Sequence, residues 1–98
     1  MNLIKRTIPV PELLAGLAEE CSELAQAALK LRRVFDGTNP TPVPEETAIN
    51  RLYEEIADVK LYLNQIDLNN ASIDEIMRQK ESRWIMRLAQ DPPVDEQH

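Results

Sequence analysis

The sequence predicts an all-α protein with three main helices, at about residues 11–35, 44–67 and 72–90, assembled into an oligomeric helical bundle. Three observations carry this expectation. Leu, Ala, Ile, Glu and Gln are plentiful, whereas glycines number two and aromatics four, a balance that favours helix over sheet. Apolar residues recur at three-four spacing along each segment. Prolines and polar clusters fall between the segments, at 40–44, 67–71 and 91–93.

The 98 residues are enough for one domain, so 1–98 is read as a single helical domain. Apolar residues make up 43% of it and charged residues 29%, which is ordinary globular usage. A formal net charge of −6 argues against a nucleic-acid partner, since nucleic-acid binders usually carry a basic patch. A phosphorylated substrate would need cations to mask its charge. The lone Cys21 excludes an internal disulfide and fits a reducing compartment. No apolar run approaches a membrane span. Met1-Asn-Leu-Ile-Lys-Arg runs straight into prolines, unlike a signal peptide, so a cytoplasmic protein with no membrane partner is expected.

Residues 1–10 carry Ile4, Ile8 and Val10 beside Pro9 and Pro11, and are read as an extended lead-in, with Pro11 suited to a first helical turn. In the first helix, Leu13, Leu17, Glu20, Leu24, Ala28, Leu31 and Phe35 form one stripe. Glu20 therefore occupies a position suited to Leu or Ile. An ionised carboxylate is costly to bury without a partner. It is either half exposed and paired with a cation, or part of a site. Glu23, three residues on, shares its face. Glu19 lies one residue off that face, as a support for a ligand, a ligand to a second ion, or a solvated charge. Lys30, Arg32 and Arg33 suit the negative end of the helix dipole.

Residues 36–44 form a proline-rich loop. Gly37 can cap the first helix, and three alternate prolines stiffen the rest of the loop into an extended path, as a pocket wall or a plain connector. The second helix starts around Pro44, with Glu45 and Glu46 at the positive end of its dipole. Its stripe is Ile49, Leu52, Ile56, Val59, Leu63 and Ile66, while Tyr53, Ala57, Leu61 and Tyr62 add apolar surface elsewhere. A helix apolar on most sides is normally buried on most sides. Two companion helices hardly cover it, so a symmetric homo-oligomer is expected. Glu55 and Asp58 flank this stripe with the same spacing of three as Glu20 and Glu23.

Ser72-Ile-Asp-Glu75 has the spacing of a capping box and is read as the start of the third helix. Its stripe of Ile73, Ile76, Met77, Trp84 and Leu88 is interrupted by Lys80, with Arg83 and Arg87 nearby. Lys80 either snorkels to water or meets a polyphosphate. Residues 91–98 read as a polar tail, and His98, the only histidine, has no assigned role.

Two acid pairs on two helices can bring four carboxylates together, and like charges so gathered call for a cation. The chain has no Gly-rich phosphate loop and no Cys or His cluster for zinc. An all-carboxylate set suits Mg²⁺, or Mn²⁺. Glu19-Glu20-x-x-Glu23 followed by Glu55-x-x-Asp58, in the contexts Leu-Ala-Glu-Glu and Glu-Ile-Ala-Asp-Val, resembles the MazG-like all-α nucleoside triphosphate pyrophosphohydrolases. The resemblance covers about residues 13–88 and extends to the short single-domain members seen in phage and prophage.

That resemblance implies Mg²⁺-dependent hydrolysis of a (d)NTP to the monophosphate and pyrophosphate, as in nucleotide-pool cleaning. It implies Glu20, Glu23, Glu55 and Asp58 as metal ligands. Glu19, with Glu20, would serve catalysis as a further ligand or as the base orienting water. Lys80 and Arg83 would meet the phosphates of the nucleoside triphosphate, and the assembly would be a dimer or tetramer. The proline-rich loop lies outside the motif. The competing expectations are a non-catalytic helical interaction module and a nucleotide-binding sensor.

Overall fold

A computed structural model describes residues 3–40 and 42–90. All regular structure among them is helical, in four helices: α1 (Leu3–Thr7), α2 (Val10–Asp36), α3 (Glu45–Gln65) and α4 (Asn70–Gln90). The chain divides into two compact units, Met1–Asp67 with α1 to α3, and Leu68–His98 with α4. No described helix is long and apolar enough to cross a membrane. The expected polar tail at 91–98 lies outside the described residues.

The extended lead-in is corrected to one helical turn. Pro9 and Pro11 restrict the backbone only from Ile8 onward, because proline disfavours helix in itself and in the residue before it. Residues 3–7 carry no proline, and the Ile8 amide closes the turn onto Ile4 O at 2.9 Å. Ile4 and Ile8 then line a cavity of about 400 Å³ with Leu13, Leu61 and Tyr62. Lys5 pairs with Asp67 just beyond α3. Tertiary contacts hold a turn that is too short to be stable alone.

α2 begins as expected. Pro9 supplies the cap in an extended conformation, and its carbonyl accepts the amides of Glu12 and Leu13, each at 3.0 Å. It ends at Gly37, whose φ of 75° is left-handed backbone that costs glycine nothing. The Thr38 amide returns to Arg33 O at 3.0 Å, so the orphan carbonyl of the last turn is satisfied. Asp36 accepts from the Thr38 amide at 3.1 Å and from its hydroxyl at 2.5 Å. Those bonds hold the Asp36 carboxyl below its ordinary value. α3 starts one residue after Pro44 and ends at Gln65, close to the expected bounds.

α2 and α3 pack antiparallel. Gly16 meets Tyr62, Glu20 lies by Glu55 and Asp58, and Ala27 shares a groove with Ala48, so one numbering falls as the other rises. The fully apolar core of the described residues is small: Leu13, Ala27 and Ala48 are buried. Of the predicted α2 stripe, Leu13 is buried, Leu17, Glu20, Leu24 and Leu31 are partly buried, and Ala28 and Phe35 are exposed. Ala27 is buried where Ala28 was expected, and Phe35 is 61% exposed. Ala27 and Ala48, both buried, line one groove between α2 and α3. On α3, Glu55 does not merely flank the stripe; it is one of the most buried residues, at 5% exposure.

α4 is described by itself. Its cap is a second correction: Asn69, not Ser72. The Asn69 Oδ1 accepts the Ser72 amide at 3.0 Å, and its carbonyl accepts the Ile73 amide at 3.1 Å. Glu75, expected to reach back to the cap, is engaged forward by Arg78 and by Gln79. The helix thus begins two residues early, with asparagine as a cap of equal quality to serine.

Candidate metal centre

Three of the predicted acids come together. Glu20 from the middle of α2, and Glu55 and Asp58 from the middle of α3, each place one carboxylate oxygen within 4.8 Å of the others. The antiparallel packing explains why. Glu55 and Asp58 are one turn apart on α3, and Glu20 faces them from the stripe of α2.

The three carboxylates differ in environment. Glu55 is buried; its Oε2 accepts from Arg51 Nε at 3.1 Å, one turn earlier on the same helix. Its Oε1 is buried with no hydrogen-bond partner among the described residues. Such an atom is expensive to leave unpaired. Glu20 is half-buried, and partial burial first, then repulsion from Asp58, Glu55, Glu19 and Glu23, pushes its carboxyl above the usual range. With the three acids ionised and Arg51 positive, the group carries a surplus of two negative charges. A divalent cation balances that number.

Glu23 is not one of the three. It lies one turn along α2 and lines a groove of about 360 Å³ that also involves Arg51, Lys30 and Val43. Val43 is the residue of the proline-rich loop that lines this groove. Glu19 is exposed, beside Glu20 in sequence and near enough to raise its carboxyl. Lys80 and Arg83 stand on α4, in the second unit, both exposed. There Lys80 lines a surface groove with Asp74, Met77 and Trp84.

Comparison of the chain with protein-family models, with curated proteins and with solved structures gives no match. The chemistry of the centre is therefore argued from its own atoms. An all-oxygen, all-carboxylate donor set fits the hard cations Mg²⁺ and Mn²⁺, and the orphaned Glu55 Oε1 supplies an anionic atom for one.

Arg51 is the residue beside the acidic cluster that the acid pattern did not reveal. Its signal was present, as Arg51-x-x-x-Glu55 is the i, i+4 spacing of an intrahelical ion pair.

Proposed function

We propose that this chain is a metal-dependent nucleoside triphosphate pyrophosphohydrolase of the MazG-like type, converting a (d)NTP and water to the monophosphate and pyrophosphate. The observation that carries the reading is the Glu55 carboxylate. It is buried, held on one oxygen by Arg51 and unpartnered on the other, within 4.8 Å of ligand atoms of Glu20 and Asp58. Burial makes an unpaired carboxylate oxygen costly, and a cation shared with the neighbouring acids offsets that cost.

Glu20, Glu55 and Asp58 would hold Mg²⁺, and Glu23, one turn from Glu20 on α2, would serve a further ion or its waters. The bound ion neutralises phosphate charge and lowers the pKa of a coordinated water. Glu19 is the candidate to orient that water. Arg51 holds Glu55 through Oε2, and Oε1 is left without a protein partner among the described residues. Exposed apolar side chains in the first unit, Leu14, Leu29, Phe35, Tyr53 and Leu61 among them, favour the homo-oligomeric assembly.

One observation favours the rival interaction module. α4 exposes the apolar side chains of Ile76, Met77, Trp84, Ile85, Met86 and Leu88, the kind of surface that another protein chain can cover. Pyrophosphate release separates the two. A panel of NTPs and dNTPs, with and without Mg²⁺, is expected to give metal-dependent pyrophosphate with matching monophosphate. Glu20→Gln and Asp58→Asn are expected to abolish it and leave far-UV circular dichroism unchanged. Silence across the panel with no Mg²⁺-induced rise in Tm would leave the interaction module.

A further inference from the structure

We propose that the cavity between α1, the start of α2 and the end of α3 binds a primary amine carried on a short apolar body. The site is separate from the carboxylate centre. Glu12, which lines it, precedes Glu20 by eight residues of α2, roughly 12 Å at the helical rise. It therefore stands or falls independently of the pyrophosphohydrolase reading.

The cavity measures about 400 Å³, within the ~300–1,000 Å³ of small-molecule pockets. Its apolar lining comes from Ile4 of α1, Ile8 just beyond it, Leu13 of α2 and Leu61 of α3. Such a lining takes an apolar body. α1 has five residues, too few to be stable alone, so it is the element that yields to admit one.

Two polar groups fix the chemistry of the ligand's head. Gln65 lines the cavity at 6% exposure, and its Oε1 is buried with no hydrogen-bond partner among the described residues. A buried acceptor left without a donor is costly, and a ligand donor removes that cost. The terminal torsion of glutamine is broad, so Oε1 turns toward a seated donor with little strain. Glu12 makes no ion pair among the described residues. Both groups accept, and one of them is anionic. An ammonium supplies what both lack, because it carries three donors and a positive charge.

An anionic head finds no counter-charge here. The Glu12 and Leu13 amides at the start of α2 already donate to Pro9 O at 3.0 Å each. Lys5 is paired with Asp67 and does not line the cavity. Tyr62 brings a hydroxyl, which balances no charge. A neutral alcohol would satisfy Gln65 and leave Glu12 unpaired.

The test uses the full chain with labelled Ala, Ile and Leu methyl groups, and with Mg²⁺ added to occupy the carboxylate centre. Hexylammonium, hexanol and hexanoate share one apolar body and differ in the head. Hexylammonium is expected to shift the methyls of Ile4, Ile8, Leu13 and Leu61 most. It should bind about tenfold tighter than hexanol, the worth of a hydrogen bond to a charged group, and hexanoate should bind more weakly than either. Glu12→Gln, at an exposed position, should erase the preference for ammonium over alcohol. Gln65→Met should weaken both ligands about three- to tenfold. Equal affinity for hexylammonium and hexanol, or a preference that survives Glu12→Gln, overturns the amine site. So does the absence of shifts at the cavity methyls, or shifts confined to Ile56 and Ala57 beside the acids of α3. The parent chain's ranking of the three ligands decides even where Gln65→Met fails to fold.

Discussion

Arg51 Nε lies 3.1 Å from Glu55 Oε2, and the other oxygen of that carboxylate is buried without a partner. The pair is asymmetric: the Arg51 side chain is 56% exposed and that of Glu55 only 6%. Arg51 therefore loses little when unpaired, whereas Glu55 would be left as a buried lone charge. Arg51→Met is expected to destabilise the metal-free protein by about 1–3 kcal/mol, the cost of an unsatisfied buried group. Thermal melts with and without Mg²⁺ check it. A cation at the centre replaces the missing positive charge, so the deficit should shrink when Mg²⁺ is added. A deficit of equal size in both conditions would count against a cation at Glu55.

Glu20 supplies a pH signature of the same centre. Partial burial, reinforced by Asp58, Glu55, Glu19 and Glu23, raises its carboxyl above the ordinary value of 4.5. The folded chain then keeps a proton that the unfolded chain has released. Stability from this group falls as pH rises from 4.5 through the raised folded value, and is insensitive to pH below that window. Glu20→Gln removes the titrating group. In metal-free buffer the variant should melt above the parent at neutral pH, and the gap should close as pH approaches 4.5. Mg²⁺ should reverse the order at neutral pH, because only the parent keeps the ligand.

The acidic cluster was legible in the sequence because Glu20 interrupts the apolar stripe of α2 and because Glu55 and Asp58, flanking the stripe of α3, repeat the spacing of three. Glu20, Glu55 and Asp58 meet for that reason. Glu23 was harder to place. A step of three residues turns about 60° around the helix, so the same spacing that brings Asp58 to Glu20 swings Glu23 toward the groove beside Ala27. The depth of Glu55 was illegible because it depends on Arg51 covering one oxygen and on small Ala27 and Ala48 letting the helices close nearby. α1 was missed because five residues are too few for periodicity, and its turn depends on Ile4, Ile8 and the Lys5–Asp67 pair.

The start of α4 was misplaced because two good caps lie three residues apart, Asn69 and Ser72. Asn69 wins by capturing the Ser72 amide at 3.0 Å. Its removal should therefore expose that amide. Asn69→Ala is expected to cost the helix about 1 kcal/mol and to speed hydrogen exchange at the Ser72 amide about fivefold. Ser72→Ala should leave exchange at the start of α4 within twofold of the parent. Amide exchange read by NMR distinguishes these outcomes, and protection lost only in the Ser72 variant would restore the serine cap.

Gly16 is a place where α2 and α3 come close, and glycine is there for space. A Cβ built on it would stand 2.6 Å from Tyr62 Cζ and Oη, and closer still to Cε1 of the same ring. Two effects of Gly16→Ala oppose each other. Alanine favours the helix over glycine by about 1 kcal/mol, while overpacking against an aromatic ring costs about 1–3 kcal/mol. The ring can give way partly, since Tyr62 also borders the cavity of about 400 Å³ beneath Ile4 and Ile8. The net loss is expected near 1 kcal/mol, read as a lower urea midpoint. Trimming the obstacle should reverse the sign. In a Tyr62→Leu background, Gly16→Ala has no ring to displace and should stabilise by the helix-propensity gain. A loss of the same size in both backgrounds would mean that Gly16 is required for its backbone and not for the approach of Tyr62.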